Sequence, residues 1–572
     1  MDPASPSQLV SRFMPALIDQ IRLGLPPVSG QRENLENEGH AICLALDLIK
    51  VHTATALSRV HYRRNGFAPV HRLPIELLAR IFEFATTGSN HSNGTLFRDV
   101  GMVISWVCKV WRGVALHTPT LWTNIDALSA VHTSIFLERS KGAPLDVTID
   151  FGAMLPSSPD DERFVRLASQ INRWRSLKVR RYAWPHGDVL GRLISNPAPN
   201  LEVVDFLNTF SWRNDVDAPA FSTNPFAGST PRLRELSTSV FCFPLSHSIY
   251  SDLAILHISR ACLHEPHFLL PVLARCPQLV ELHAHGVIWW PDMSAELPPL
   301  SHDIVHLPYL ADLQLSMSAT AVQYLLTHIT TPSSLRVALK SPLDLDETLG
   351  HILPPHPDSL RLLREICHLT MSVGENSLDC ELRGQTADLK TSLHIVVSGS
   401  PGNGSVARVF PYIKQILLMM PLKSFFLDSF SKKQWSATTL RQTLLAFPSI
   451  HTLIFHDCHQ KFLQLLLSPP QSLCPRLHTL VLSKCSIPGS TLISLVRSRT
   501  ATRHDEAGRL QRLEIAEPKI IIPTTEVFQM VQLLQEVVFR PPARMMGLQE
   551  CLMPARVTSN SNGSEPNQPI IL

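Results

Sequence analysis

Hydrophobic residues recur along this chain in distinct rhythms. From Glu33 to Arg64 they fall at Ile42, Leu44, Ala45, Leu46, Leu48, Ile49, Ala56, Leu57 and Val60 with no proline between. That spacing predicts a helix over 33–66, stopping at Asn65-Gly66, where glycine tolerates a left-handed helix end. From 71 to 126 the spacing is again helical. Pro74 suits a first turn because its missing N–H would have no partner there. Leu77, Leu78, Ile81, Phe82 and Ala85 then form one apolar stripe. A polar loop from Thr86 to Gly94 follows. A second helical run passes Val103, Ile104, Val107, Val110, Trp111, Val114 and Ala115 until Pro119 breaks it, and Leu121, Trp122 and Ile125 close the unit.

Beyond residue 140 a short phrase takes over: an apolar residue, two variable ones, an apolar one, one variable, an apolar one. Full copies begin at Leu201, Leu253, Leu310, Ile450, Leu477, Leu510 and Leu534, and partial copies at Leu233, Leu279, Leu335 and Leu422. Pro199, Pro231, Pro277, Pro308, Pro448 and Pro475 each stand two places before a first position, too regular a pairing for chance. The last two apolar positions of a phrase are two apart, so they share one face of a strand. One such strand is unstable alone. Stacked in parallel, strands bury a continuous core and complete each other's backbone hydrogen bonds. Segments such as Phe268–Arg275 and Thr491–Val496 have helical spacing and would form an outer layer. The expectation is an α/β solenoid over 140–540 with parallel strands, although 340–420 carries no clear phrase. Residues 1–32 read as a flexible arm, and 541–572, rich in Ser, Asn, Gly and Pro, as a disordered tail.

Composition narrows the classes. Of 572 residues, 44% are hydrophobic and 17% charged, which excludes wholesale disorder. The excess is of proline, 45 against 24 glycines, so connections are stiff. A net charge of +3 gives nucleic-acid binding no support. No uninterrupted apolar run reaches the ~18 residues of a membrane span, and the N-terminus does not read as a secretory signal. The 11 cysteines include no C-x-x-C pair, which argues against a disulfide framework or a zinc module. The sequons at Asn93, Asn403 and Asn562 read as unmodified, and the location as intracellular, cytoplasm or nucleus.

Catalytic constellations are weak. Pro401-Gly402-Asn403-Gly404-Ser405 lacks the lysine of a phosphate loop. Asp344-x-Asp346-Glu347 lacks the glycine and distant glutamate of a calcium loop. His456-Asp457-Cys458-His459 contains triad residue types, but neighbours on a strand alternate faces. Two basic runs, Arg173, Arg175, Lys178, Arg180 and Arg181, and Arg497, Arg499 and Arg503, read as exposed faces or as sites for an acidic or phosphorylated partner. No catalytic residue, metal or cofactor is expected, and the chain is expected not to be an enzyme.

Residues 71 to about 125 resemble an F-box: Leu73-Pro74-Ile75-Glu76-Leu77-Leu78, then Ile81-Phe82, Val107-Cys108-Lys109-Val110-Trp111-Arg112 and Leu121-Trp122. With Phe136–Leu145 and Arg173–Leu177, the chain is similar to the expanded F-box/leucine-rich-repeat proteins of mushroom-forming fungi. The Thr86–Phe97 loop is longer than that pattern. The resemblance implies a three-helix F-box that docks a Skp-type adaptor, and through it a cullin ubiquitin ligase, while a leucine-rich-repeat solenoid captures a protein substrate. The alternative is a repeat scaffold not coupled to ubiquitination. Nucleic acid and membrane are not expected partners.

A unit of about 50 residues is too small to hide Leu73, Ile75, Leu78, Ile81, Phe82, Val107, Cys108, Trp111 and Trp122 within itself. Leu73, Pro74, Ile75, Leu78, Ile81, Phe82, Val107, Cys108 and Trp111 are the candidate adaptor contacts, with packing against the Glu33–Arg64 helix or the first repeats as the bland alternative. Pro74, Ile75, Leu78 and Phe82 are expected to face outward; Trp111 and Trp122 are equally open to being core. Substrate contacts are expected from outward strand positions: His257, Ser259, His283, His285, Gln314, Ser316, Ile454, His456, Val481 and Ser483. His257 and His283 hold the same place in two phrases, so they should be neighbours about 5 Å apart. A metal site or pH sensor there has no third ligand that the phrase supplies, so exposed histidines on a binding face are the simpler expectation.

Overall fold

Proline placement and leucine spacing organise most of the chain, as seen in a computed structural model. It describes residues 6–25, 30–87, 100–127, 129–151, 161–180, 187–207, 224–239, 247–259, 262–263, 269–285, 288–289, 304–342, 349–354, 360–373, 379–398, 420–430, 437–467, 473–500, 509–540 and 557–558. The fold is mixed α/β with N-terminal helices and a large, mostly parallel sheet. Two units divide it, Met1–Asp126 with Val131–Ala143 and Ala127–Ala130 with Pro144–Leu572. The Asn93, Asn403 and Asn562 sequons, most of the Thr86–Phe97 loop, 401–405, 344–347, Arg181 and Arg503 lie outside the described residues.

The first unit begins with α1 (Pro6–Leu23) and α2 (Gln31–Asn65). Most of the segment read as a flexible arm is helical, as α1. Val10, Met14, Leu17 and Ile21 recur at helical spacing, and this outweighs the local Ser and Pro content. It lies against α2, which buries Ala41 and Ala45 one turn apart. Most other apolar residues of α2, among them Leu44, Leu48, Val51, Leu57 and Val60, are exposed, while Ile49 is half-buried. By length and composition Arg32–Asn65 would also span a membrane, a test that soluble core helices pass equally.

Then come α3 (Ile75–Thr87), α4 (Val100–Val107) and α5 (Lys109–His117). The second helical run, expected as one piece, is two. Cys108 is extended (φ −160°, ψ 171°), and its Sγ accepts from the Trp111 N–H at 3.4 Å, capping α5. Trp122 is the centre of this unit. Its Nε1 donates to the Ala115 carbonyl at 2.8 Å, Phe136 meets it edge-on at 5.2 Å, and the Arg139 guanidinium lies 4.4 Å over its ring. A Cβ on Gly101 would stand 3.0 Å from the Leu121 carbonyl oxygen and 3.4 Å from the Trp122 ring, so a larger residue would push α4 off this core.

In the second unit the sheet runs through β1 (Leu145–Asp150), β2 (Trp174–Arg180), β3 (Val203–Leu207), β4 (Glu235–Ser239), β5 (Ile255–Ser259), β6 (Glu281–His285), β7 (Asp312–Ser316) and β8 (Arg336–Pro342). It continues with β9 (Ile366–Val373), β10 (Asp379–Thr386), β11 (Thr391–Ser398), β12 (Ser424–Asp428), β13 (Thr452–His456), β14 (Thr479–Ser483), β15 (Arg512–Ala516) and β16 (Glu536–Arg540). Consecutive strands from β1 to β8, and again from β12 to β16, pair in parallel. Each phrase therefore opens a strand, including the four partial copies.

The six prolines have a common role. Each is the second residue of a turn closed by the N–H of the phrase's first apolar residue: Leu201 to Ala198, Leu233 to Thr230, Leu279 to Cys276, Leu310 to Leu307, Ile450 to Phe447 and Leu477 to Cys474, at 3.1–3.4 Å. Proline pre-sets the backbone angle that this position requires. The next residue enters a ladder along the stack. The N–H of Glu202 donates to Arg175, that of Arg234 to Glu202, and so on through Ala254, Val280, Ala311 and Arg336. Apolar side chains at the two inward positions, such as Leu256 and Ile258 or Leu480 and Leu482, are almost fully buried. Helices including Leu269–Ala274, Ala319–His328, Ala437–Leu445 and Gly489–Thr500 stand between strands.

The last strands share a second device. Ser429, Asp457, Lys484 and Glu517 follow β12, β13, β14 and β15 directly, and all four have positive φ, between 46° and 63°. Their N–H groups donate to His456, Ser483, Ala516 and Arg540, the last residues of the next strands. Cys458 and Cys485 come one residue later in two of these turns. Their thiols donate back one rung, to the Leu427 carbonyl at 3.5 Å and the Phe455 carbonyl at 3.4 Å.

Between the two runs the order changes to β8-β11-β10-β9-β12, with β10 antiparallel to both neighbours. This meander occupies the segment that lacked a phrase. At the far end Val557–Thr558, within the expected disordered tail, pairs antiparallel with Val537 and Glu536.

Candidate functional site

Helix α3 carries two apolar stripes rather than one. Residues on a helix are about 100° apart, so Leu78 and Phe82 share one face and Leu77, Ile81 and Phe84 another. The first pair is core, 1% and 2% exposed, with Phe82 4.9 Å from the Trp111 ring. This corrects the outward orientation expected of Leu78 and Phe82. The second stripe is exposed: Leu77, Ile81 and Phe84 are 52%, 50% and 75% exposed, and Ile75 is 62% exposed. On α4, Val103, Trp106 and Val107 are exposed as well. Pro74 is exposed, and its carbonyl accepts the Leu77 and Leu78 N–H groups at 3.1 Å. Leu73, Cys108 and Trp111 are half-buried. The Trp111 Nε1 is shielded and has no hydrogen-bond partner among the described residues. Leu77 and Val103 belong to the apolar runs but not to the expected adaptor contacts, and Phe84 and Trp106 to neither; Leu77, Ile81 and Phe84 follow the i, i+4, i+7 spacing that marks them.

On the sheet, the expected substrate residues all fall on the face opposite the core. Most are half-buried and His285 is exposed. In the first run the middle row across neighbouring strands reads Ser237, His257, His283, Gln314. His257 and His283 stack with ring centroids 4.2 Å apart and planes 2° from parallel. Ser237 Oγ lies 3.3 Å from His257 Nδ1, and Glu281 Oε2 lies 3.7 Å from His257 Nε2. Asp312 is 3.5 Å from His283 Nε2 but is held by Arg336 at 2.9 Å and by the Gln314 amide at 3.1 Å. Burial, and then the neighbouring His283, hold the His257 imidazole below its ordinary pKa against the pull of Glu281. His285 is lowered by burial and by His283 too. The phrase alone supplied no third ligand beside the histidines; the structure supplies Glu281. It stands two residues before His283, and that spacing was its signal.

In the second run the same row reads Phe426, Ile454, Val481, Glu514. Its first three members are apolar and half-buried on the outer face. His456 and Ser483 lie one row over, beside Asp428 and Ala516. Glu514 is tied to Arg512 at 3.1 Å and Arg540 at 3.3 Å, so that end of the face is neutralised within itself.

The remaining motifs are structural in their geometry. Cys458 is buried, with its thiol pushed up by burial and bonded to carbonyls; Asp457 pairs with Lys519; the His459 ring caps a short helix by accepting from the Lys461 N–H. The triad residue types do not converge. Arg499 is 4% exposed and donates to the Leu466, Leu473 and Cys474 carbonyls. It is therefore unavailable to a phosphate. Arg175 pairs with Asp146, and Arg173 with Gln170 at 3.0 Å. Comparison with known proteins finds no family model and no curated sequence that matches this chain.

Proposed function

We propose that this protein is a substrate-recognition adaptor of a cullin-type ubiquitin ligase, with an F-box that docks a Skp-type adaptor and a leucine-rich-repeat solenoid that captures the substrate. The observation that carries the reading is the second apolar stripe of α3. Leu77, Ile81 and Phe84, with Ile75, stay in water while Leu78 and Phe82 fill the core of the same small unit. A helix apolar on two faces calls for a second partner. The repeat assignment is supported by the turn cysteines. Leu477-x-x-Leu480-x-Leu482-x-x-Cys485-x-Ile487 follows the leucine-rich-repeat consensus throughout, and Ile450-x-x-Leu453-x-Phe455-x-x-Cys458 follows it as far as the Asn/Cys position, with Gln460 where an apolar residue would come. The protein itself makes and breaks no bond in this reading; it raises the local concentration of substrate lysines at a charged conjugating enzyme.

Capture of a Skp-type adaptor by the full chain tests it. An Ile75→Asp, Ile81→Asp double variant alters only exposed positions, so it should keep the wild-type circular dichroism and lose the adaptor. Equal capture by both proteins would remove the adaptor reading. The apolar row Phe426, Ile454, Val481 favours a binding face whether or not ubiquitin transfer follows. A scaffold uncoupled from the ligase is therefore the second reading, and substrate ubiquitination in a reconstituted ligase separates the two.

A further inference from the structure

His257, Glu281 and His283 place their ligand atoms within 4.8 Å of one another. Strand geometry explains the convergence. His257 and His283 are register partners on β5 and β6, and Glu281 shares the outer face with His283 because it is two residues away. Among the described residues the Nε2 atoms of both histidines are shielded from solvent and without a hydrogen-bond partner, with Glu281 3.7 Å from one and Asp312 3.5 Å from the other. For His257 the other nitrogen is already engaged by Ser237 Oγ, which is how metal-binding histidines are commonly oriented. A shielded nitrogen without a partner has given up its hydration for nothing in return. Two of them, one facing Glu281 and the other facing an Asp312 already held by Arg336 and Gln314, make a shared demand that a single cation would meet.

We propose that His257, Glu281 and His283 form a binding site for a divalent first-row transition-metal ion, zinc foremost, with three protein ligands and an open fourth position. Two imidazoles and a carboxylate suit zinc and its neighbours, whereas magnesium and calcium take oxygen ligands. Bond lengths of about 2.0–2.2 Å bring tetrahedral donors to roughly 3.4 Å from one another. The stacked rings aim their lone pairs side by side, so loading turns an imidazole about χ2 out of the stack. Both rings stand on the outer face of the sheet, and this rotation leaves the leucine core untouched. The open position lies on the side where cargo contacts are expected, available to water or to a donor of a bound partner. The site stands on its own geometry and does not depend on the adaptor reading.

The test is zinc titration of the chelator-stripped full chain in competition with a chromophoric chelator, with visible absorption of Co2+ reporting ligand type. Wild type should take up one equivalent in competition with the chelator and show a nitrogen/oxygen Co2+ spectrum. A His257→Ala, His283→Ala double variant should lose that equivalent, and Glu281→Gln should weaken it by at least about tenfold. His456→Ala, an outer-face histidine of the second run, should bind as wild type does. Glu281→Gln preserves shape and guards against misfolding of the double variant. Zinc should raise the melting temperature of wild type and, at the same concentration, raise that of Glu281→Gln less. No uptake by wild type, or equal uptake by all four proteins, overturns the site.

Discussion

At one register row, strands β4 to β7 present Ser237, His257, His283 and Gln314, while β12 to β14 present Phe426, Ile454 and Val481. Beneath those rows the two runs are alike. Both bury leucine-type residues at the two inward positions, both enter strands through a proline turn, and both carry the same backbone ladder. The outer face is where they part, polar and histidine-centred in one and apolar in the other. Packing demands regularity of the inward half of a phrase and asks nothing of the outward half. Specific recognition is thus free to differ along a stack whose core does not.

Three measurements break or sharpen that contrast. The largest effect is expected from the shared core. Leu256→Ala and Leu480→Ala, each at a fully buried site, should each lower unfolding stability by about 2–5 kcal/mol in urea titration. Ile454→Ser on the outer row should cost about 1 kcal/mol or less. A penalty for Ile454→Ser as large as that for Leu480→Ala would mean that the apolar row is already covered, and the contrast would fail. The middle effect concerns the joint between the runs. A Cβ at Gly384 in β10 would stand 2.8 Å from Ile366 Cδ1 and 3.1 Å from Leu393 Cβ, so Gly384→Ala should destabilise by about 1–3 kcal/mol, read in the same titration.

The smallest effect is on pH. Burial and neighbouring charge lower the His257 and His285 pKa values in the folded protein. The unfolded chain takes those protons near pH 6.5, so below that pH it binds more protons than the folded state. Stability should therefore decline as pH falls from about 7 through 6. A His257→Gln, His285→Gln variant should show a shallower decline in melting temperature over that window. An unchanged slope would separate the histidine row from the acid sensitivity.

The strands were legible because alternation, leucine and proline point the same way at each phrase. The meander was not. Ile366–Val373, Asp379–Thr386 and Thr391–Ser398 alternate as strands do, but their partners are not the next phrase along, and their entries lack the proline turn. Spacing between neighbours carries no information when neighbours in sequence are not neighbours in space. On α3, periodicity located the apolar residues without ranking their faces. Only packing on Trp111 assigns Phe82 inward and leaves Ile81 in water. The histidine pair was readable from matching phrase positions. Glu281 fell just outside the positions that the phrase marks, though its distance of two from His283 placed it on the same face.

The order β8-β11-β10-β9-β12 has an evolutionary consequence. Two reversals cancel, so β8 and β12 travel in the same direction on either side of the meander. A cassette with that property can be excised without turning either half around. Given a crossover of a dozen or so residues, the exposed edges would already be oriented to zip together as parallel partners. A shorter, uninterrupted stack is then within reach of a single deletion.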